Sequence, residues 1–221
     1  MISLVLIILV SYLIGSIPTS IIVGKLTKGI DVRQHGSGNA GGTNAFRVLG
    51  WKAGLFVSLF DVGKGVFATV VVAGIRLDTM PISNSIWVMV IAGVCAVLGH
   101  TFTIFAGFRG GKGVATGAGM IMGLFPIVFW LCLAVFALVL LSTGIVSLSS
   151  IAAAVSLPLF LALIDRYSDL IVNSALTILS LIIPLFIIFT HRSNIGRLLR
   201  GRENRFEKVA VLRRLFTKKS Q

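Results

Sequence analysis

The chain has 221 residues, of which 56% are hydrophobic and 12% charged, and its mean hydropathy is +1.01. These values lie far outside those of soluble proteins, and the continuous apolar runs exclude a β-barrel, whose strands alternate in polarity. The formal net charge of +13 does not point to nucleic acid as a partner, because membrane proteins collect Lys and Arg in their cytoplasmic loops.

Apolar segments follow one another along the chain. They lie at about 3–23, 53–75, 85–106, 113–141, 150–164 and 170–190. A spanning helix needs roughly 20 apolar residues, so the fourth segment is too long for one ordinary crossing. Pro126 lies near its middle, and proline disrupts a helix interior but suits a first turn. We therefore expect two short helices that meet near Phe125-Pro126.

The distribution of basic residues favours seven spans. With the N-terminus outside, seven spans place 17 of the 20 Lys and Arg residues in inner segments and two in outer loops. With six spans, the Lys and Arg residues do not collect on one side of the membrane in either orientation. The predicted fold is an all-α integral membrane protein with seven transmembrane helices, some of them short, an outer N-terminus and a cytoplasmic C-terminus. Residues 1–206 form the membrane domain, and 207–221 form a basic cytoplasmic tail that lies near anionic headgroups or is solvated.

The segment GSGNAGGTNAFR (36–47) follows the first span. Its start matches the dinucleotide fingerprint G-x-G-x-x-G, but that motif needs a βαβ unit, and here membrane spans lie on both sides. Glycines still let backbone N–H groups approach an anion, short side chains add donors, and an arginine fork fits phosphate. The candidate ligands are Ser37, Gly38, Asn39, Gly41, Thr43, Asn44 and Arg47. A plain glycine-rich loop is the alternative.

A second glycine-rich segment, FRGGKGVAT (108–116), precedes another span. It is not a Walker A motif, because Gly113 follows Lys112 where that motif has Ser or Thr, and we predict no nucleotide hydrolysis. Lys112 between glycines at the start of a helix suits phosphate, with Gly111 as its neighbour in the site. His100 is a candidate support for this turn. Two pairs of glycines at four-residue spacing indicate close helix packing instead: Gly113/Gly117 and Gly119/Gly123.

Polar residues also accompany the last two spans. Three serines (Ser147, Ser149 and Ser150) begin one span, where an N-cap is the ordinary role and a ligand role the alternative. The segment HRSNIGRLLRGRE (191–203) leaves the last span. If that helix continues, His191, Asn194 and Arg197 share one face at i,i+3 spacing. The seven acidic residues form no cluster that could hold Mg²⁺ or Zn²⁺, so we expect neither a metal nor a cofactor.

These segments strongly resemble the bacterial acyl-phosphate-dependent glycerol-3-phosphate acyltransferases, the PlsY family. The resemblance covers about 1–206 and is specific, because it is carried by four motifs in fixed order. They are GSGNAGGTNAFR, GFRGGKGVAT, SLSSI and HRSNIGRLLRGRENRF. The chain departs from the family pattern at Arg109, where Lys is frequent.

The resemblance implies a seven-span enzyme of the bacterial inner membrane with its active site on the cytoplasmic side. Such enzymes transfer a fatty acyl group from acyl phosphate to the 1-hydroxyl of sn-glycerol 3-phosphate, giving lysophosphatidate and phosphate in phospholipid synthesis, without a cofactor. The partners are the two substrates and membrane lipids; a monomer is one expectation for the oligomeric state, which the sequence leaves open.

The resemblance also implies roles for the motif residues. Arg47, Lys112, Ser150, His191 and Asn194 would form the glycerol-phosphate and catalytic site, with Lys112, Ser150 and His191 as catalytic residues. Ser37, Asn39, Thr43 and Asn44 would hold the acyl-phosphate head. A transporter of phosphorylated solutes and a non-catalytic lipid-binding scaffold are the alternatives, although transporters usually bind at the midplane of repeated halves and no repeat is evident.

Overall fold

The computed structural model describes residues 1–82, 85–168, 170, 172–207 and 209–211. Ten α-helices and no strand occur in these ranges, which confirms the all-α prediction. The helices are α1 (Ile2–Gly15), α2 (Thr19–Lys28), α3 (Gly42–Leu49), α4 (Trp51–Val70), α5 (Ser85–Thr101), α6 (Val114–Leu124), α7 (Pro126–Thr143), α8 (Val146–Tyr167), α9 (Ser174–Thr190) and α10 (Arg192–Leu199), with 3₁₀ turns at Val32–Gln34, Val72–Gly74 and Ile104–Ala106. Most of the basic tail lies outside the described residues.

Five helical segments of the described chain are long and apolar enough to cross a membrane, and α9 with α10 makes a sixth if the bent pair counts as one span. The five are Ile2–Lys28, Trp51–Gly74, Ser85–Ala106, Pro126–Thr143 and Val146–Tyr167. Helix α6 is apolar but has 11 residues, about 16 Å at a helical rise of ~1.5 Å per residue. That is about half of a hydrocarbon core of ~30 Å. The chain is thus an integral membrane protein, and seven crossings stay a prediction.

The helix break expected at Phe125-Pro126 is present. Helix α6 ends before Phe125, whose φ of −152° and ψ of 82° are not helical, and Pro126 is the first residue of α7. Proline suits this position because its missing N–H would have no partner in the first helical turn. The long apolar run is therefore two helices, as predicted.

The chain divides into two compact units, residues 1–126 and 127–221. In the first unit, α4 packs against α6 and α1 against α5. A Cβ atom on Gly119 would overlap the carbonyl group of Val62 in α4. Such contacts let helix backbones approach closely in a membrane, where packing rather than hydrophobic burial drives association. The packing role predicted for Gly119 is confirmed.

The loops of the first unit gather at its two ends. At one end, the N-terminal ammonium group and the Ser3 side chain donate hydrogen bonds to Asp78, in the loop after α4. At the other end, Arg33 Nη1 donates to the Ala106 carbonyl at 2.8 Å, and a Cβ atom on Gly111 would lie 3.0 Å from the carbonyl oxygen of Ala40. The two glycine-rich segments therefore lie side by side, as the family resemblance implies for Arg47 and Lys112.

In the second unit, α8 packs along α9, and the segment after α10 returns to the start of α8. The Phe206 N–H donates to the Gly144 carbonyl at 2.8 Å, and Gly144 has a φ of +71° that favours glycine. Helices α9 and α10 are bent by 65° at His191, so the last span does not continue straight into the HRSNIGRLLRGRE segment.

Candidate active site

Asn44 determines the shape of the first glycine-rich segment. Its side chain is fully buried, at 0% exposure. Its Oδ1 accepts the Ser37 N–H at 2.8 Å, while Nδ2 donates to the carbonyls of Val32 at 2.7 Å and His35 at 3.1 Å. These bonds use both amide hydrogens and the amide oxygen. The visible role of Asn44 is therefore to fix the loop, and a contact with substrate stays a prediction.

Two glycines turn this segment towards α3. Gly36 and Gly38 have φ values of 62° and 73°, which strain any residue with a Cβ atom. At Gly36 such an atom would also overlap Oδ1 of Asn44. Ala40 anchors the far side of the loop in an apolar cluster with Ile21. Among the predicted ligands, Ser37, Asn39, Thr43 and Arg47 are half-buried, Gly38 is exposed and Gly41 is buried.

The second glycine-rich segment is tied to the end of α5. The Gly110 N–H donates to the Thr101 carbonyl and the Gly111 N–H to the His100 carbonyl, both at 3.0 Å. Gly113, with a φ of 81°, is the cap residue of α6. The half-buried Lys112 thus lies at the mouth of α6, where the sequence predicted it, beside the first glycine-rich segment.

His100, the predicted support of this turn, does contact it, and two ionisable side chains that sequence reasoning left outside the site lie behind it, Asp61 and Lys64. Asp61, Lys64 and His100 are 2%, 4% and 7% exposed. Lys64 Nζ lies 2.8 Å from Asp61 Oδ1, and the Thr19 hydroxyl lies 3.2 Å from the same oxygen. A signal was present in the sequence, since charged residues inside a span are rare and usually face the protein interior.

In the second unit, Glu203 binds three polar side chains. Its Oε1 accepts from the Ser147 hydroxyl at 3.1 Å and from Asn194 Nδ2 at 2.7 Å, and its Oε2 accepts from Arg197 Nε at 2.7 Å. Burial alone would raise the pKa of Glu203, but the hydrogen bonds from Asn194 and Arg197 outweigh it and hold the pKa below its ordinary 4.5. The carboxylate is therefore ionised at neutral pH. Sequence analysis gave this residue no role, although it is acidic within an otherwise basic segment.

Asn194 and Arg197 do share a face, as the i,i+3 spacing predicted, because both reach Glu203. His191 lies at the bend between α9 and α10, with 3% exposure. Its Nδ1 lies 2.8 Å from the Ile187 carbonyl oxygen. Since a carbonyl can only accept, Nδ1 carries a hydrogen, and in the neutral form of the ring Nε2 would then hold the lone pair. A contact between this ring and a substrate hydroxyl stays a prediction.

The serines of SLSSI lie within the first turn of α8, so the N-cap interpretation is wrong for them. Ile145 is the cap residue, and the hydroxyls of Ser149 and Ser150 donate to the carbonyls of Ile145 and Val146, both at 2.9 Å. Ser150 is buried, at 4% exposure. Its oxygen can still accept a hydrogen bond, and its catalytic role stays a prediction.

The two units offer different chemistry. The first presents backbone N–H groups and two cations, Lys112 and Arg47, which suit phosphate. The second presents an imidazole, an amide and hydroxyl groups, which suit a polyol. Within the described ranges, no group of three His, Cys, Asp or Glu side chains could hold a metal ion.

The chain is all-α and apolar enough to span a membrane, and two glycine-rich, cationic segments meet at one end of its first unit. These features define an integral membrane protein with a candidate phosphate-binding site. Comparison with known proteins specifies the class. The model of the glycerol-3-phosphate acyltransferase family matches residues 5–201. The chain therefore belongs to the glycerol-3-phosphate acyltransferase family, whose members are enzymes of phospholipid synthesis.

Individual relatives agree with this assignment. The glycerol-3-phosphate acyltransferase of Chlorobaculum tepidum is 48% identical over 225 residues, covering 93% of this chain and 97% of the relative. That of Chlorobaculum parvum is 50% identical with the same coverage. A solved structure is also similar: the crystal structure of PlsY (YgiH), an integral membrane glycerol 3-phosphate acyltransferase, in its glycerol 3-phosphate form. Its TM-score with this chain is 0.82 and the sequences are 38% identical, and the match covers 95% of this chain and 98% of that one. Its lysophosphatidic acid form has a TM-score of 0.80 at 37% identity.

Proposed function

We propose that this chain transfers a fatty acyl group from acyl phosphate to the 1-hydroxyl of sn-glycerol 3-phosphate, giving 1-acylglycerol 3-phosphate and inorganic phosphate. The observation that carries the proposal is the contact of the two glycine-rich segments, each of which leads into a helix N-terminus. Backbone N–H groups and the positive end of a helix bind phosphate. Both proposed substrates are phosphorylated, so two such segments match the reaction. The glycerol 3-phosphate and lysophosphatidic acid forms of PlsY support the acceptor and the product.

Acyl phosphate is already activated, with phosphate as its leaving group, so the reaction needs no acyl-enzyme. The glycerol oxygen bonds to the acyl carbon while the bond from that carbon to the phosphate oxygen breaks. Orientation of the two reactants can lower the barrier by about 7–11 kcal/mol in favourable cases. In this proposal Ser37, Asn39 and Thr43 hold the departing phosphate in the loop fixed by Asn44, and these donors stabilise the charge that it gathers.

The remaining residues act on glycerol 3-phosphate. Arg47 and Lys112 bind its phosphate, whereas Ser150, His191 and Asn194 orient its glycerol hydroxyls. The attacking hydroxyl loses its proton to a substrate phosphate, and Nε2 of His191 orients that hydroxyl or serves as the alternative base. A His191→Gln variant that keeps substantial turnover would exclude His191 as an obligatory base.

We place the reaction at the cytoplasmic face of the bacterial inner membrane and expect a monomer to carry it out. Since most Lys and Arg residues lie in the segments assigned to that side, the anionic heads meet cations there while the acyl chain stays in apolar surroundings. This location supplies both substrates without moving the acyl chain through water.

A donor comparison tests the proposal. Purified protein in detergent is given labelled glycerol 3-phosphate with acyl phosphate, acyl-CoA or acyl carrier protein thioester in separate reactions. We expect labelled lysophosphatidate from acyl phosphate alone. Equal use of the thioesters would show that the donor assignment is wrong. A transporter and a lipid-binding scaffold would both give no product in detergent. After reconstitution in vesicles, the transporter alone would accumulate label inside them.

A further inference from the structure

The first unit holds an ion pair inside a membrane span that the proposed reaction does not use. Asp61 and Lys64 are one helical turn apart on α4, and their side chains are 3% and 2% exposed. Besides its 2.8 Å contact with Asp61, Lys64 donates to the Ile17 carbonyl at 3.1 Å. Desolvation costs several kcal/mol per buried ion, and well-packed apolar side chains would avoid that cost. Helix packing alone therefore does not account for the pair.

His100 connects this pair to the turn that carries Lys112. Its Nδ1 lies 3.6 Å from Asp61 Oδ1, a distance longer than a normal hydrogen bond. On the opposite edge of the ring, Nε2 lies so close to Gly111 that a Cβ atom on that glycine would overlap it. The imidazole thus stands between the buried carboxylate and the backbone of the turn.

The backbone at the end of α5 holds the same turn. The N–H groups of Gly110 and Gly111 donate to the carbonyls of Thr101 and His100 at 3.0 Å. Gly110 also has no room for a side chain, because a Cβ atom there would overlap the His100 carbonyl. Two consecutive peptide units before Lys112 are therefore fixed by the last turn of α5.

We propose that Asp61, Lys64 and His100 are positioning residues for acyl transfer. The ion pair holds the imidazole, and the ring and backbone of His100 set the place of Lys112. This inference rests on the proposed function, in which Lys112 binds a substrate phosphate. A misplacement of a catalytic or binding group by about 1 Å can reduce a rate by roughly 100-fold. A buried cluster that fixes the turn before Lys112 would therefore affect the reaction.

A pair of glycine substitutions tests the contact between the ring and the turn. Gly111→Ala introduces a methyl group against His100, and we expect kcat/KM to fall by at least about 10-fold. Gly63→Ala is the matched control, because a Cβ atom on that α4 glycine meets nothing within 4 Å, and we expect normal kinetics. Full activity of Gly111→Ala would overturn the inference.

A double-mutant cycle separates positioning from a purely structural role. We expect His100→Ala to lower kcat/KM by about 10-fold in the wild type but by less than about 3-fold in a Lys112→Arg background, because the cation is already displaced there. His100→Gln, which keeps a polar side chain, should recover most of the activity. Equal losses in both backgrounds would show that His100 does not act through Lys112.

The ion pair is tested by removing both charges together, so that no unpaired ion is left buried. We expect Asp61→Asn/Lys64→Met to lower kcat/KM by about 5-fold or more, with an unfolding temperature in detergent close to that of the wild type. Normal kcat/KM would exclude the pair from positioning. If His100→Ala or this double variant does not fold, Gly111→Ala and His100→Gln decide the question. A wild type that forms no lysophosphatidate would instead contradict the proposed function.

Discussion

The two units prepare their candidate ligands in opposite ways. In the first, backbone groups form the candidate phosphate-binding segments, and the buried Asn44 side chain shapes the loop. In the second, side chains are the ligands, and the Glu203 carboxylate holds Asn194 and Arg197 in place. In the backbone-built region, we expect substitutions that add bulk or remove amide hydrogens to have the largest effects. In the region built of side chains, we expect substitutions that exchange hydrogen-bond donors and acceptors around the Glu203 carboxylate to matter most.

The largest effect is expected at Lys112, the cation that the backbone-built region presents. Lys112→Ala removes a phosphate donor and should reduce kcat/KM by at least about 100-fold while the protein stays folded in detergent. Lys52→Ala is the control, because Lys52 is exposed and its ammonium group lies 5.8 Å from the centre of the Trp51 ring. Steady-state kinetics on both variants make the comparison. Near-normal turnover of Lys112→Ala would remove Lys112 from the site.

Asn44→Asp tests whether the loop depends on amide hydrogens. The substitution replaces the donating Nδ2 by an acceptor that faces the carbonyls of Val32 and His35, and it should destabilise the unit by about 1–3 kcal/mol. Asn173→Asp is the matched control, since Asn173 uses Oδ1 to accept the Ala175 N–H at 2.9 Å and aspartate caps a helix equally well. Thermal unfolding in detergent measures both. Equal unfolding temperatures would contradict the role given to Asn44.

Glu203→Gln tests the region built of side chains, and pH makes the test specific. The pKa of Glu203 is lower in the folded protein than its ordinary 4.5, so the folded state binds fewer protons than the unfolded one. The stability that the carboxylate supplies is therefore present above about 4.5 and is lost as pH falls through the folded pKa. We expect Glu203→Gln to unfold at a lower temperature than the wild type at pH 7, with the difference shrinking below about pH 4.5. A difference independent of pH would contradict this account.

The smallest effect is expected at Asp31, beside the backbone-built loop. A hydrogen bond from the Arg33 side chain holds the pKa of Asp31 below its usual range, and Asp31 also accepts the Arg33 N–H at 2.9 Å. Asp31→Asn keeps an acceptor for that N–H and loses the partly exposed ion pair, which should change stability by less than about 1 kcal/mol. We expect kcat/KM within about twofold of the wild type. A tenfold loss would show that the ion pair governs the loop.

Much of this architecture could be read from local patterns. The proline at position 126 indicated where a long apolar run breaks, and the distribution of Lys and Arg assigned both glycine-rich segments to the same side of the membrane. These inferences succeed because hydropathy, proline and charge act locally along the chain. The assignment of the motifs to one particular reaction came from the family resemblance.

The features that sequence analysis did not predict depend on contacts between residues that are distant in the sequence. No spacing indicates that His100 lies between Asp61 and Gly111, or that Glu203 rather than a substrate binds the amide of Asn194. The 65° bend at His191 likewise has no proline or glycine at that position to indicate it. Helical periodicity identifies a shared face but not the group that meets it.

Oxygen labelling tests the central claim, acyl transfer from acyl phosphate to the 1-hydroxyl of glycerol 3-phosphate, most directly. Glycerol 3-phosphate carrying ¹⁸O in its 1-hydroxyl is incubated with the purified protein and acyl phosphate, and both products are analysed by mass spectrometry. We predict that the new ester retains the ¹⁸O and that one unlabelled phosphate is released for each ester formed. Release of labelled phosphate, or ester formation without phosphate release, would contradict the account.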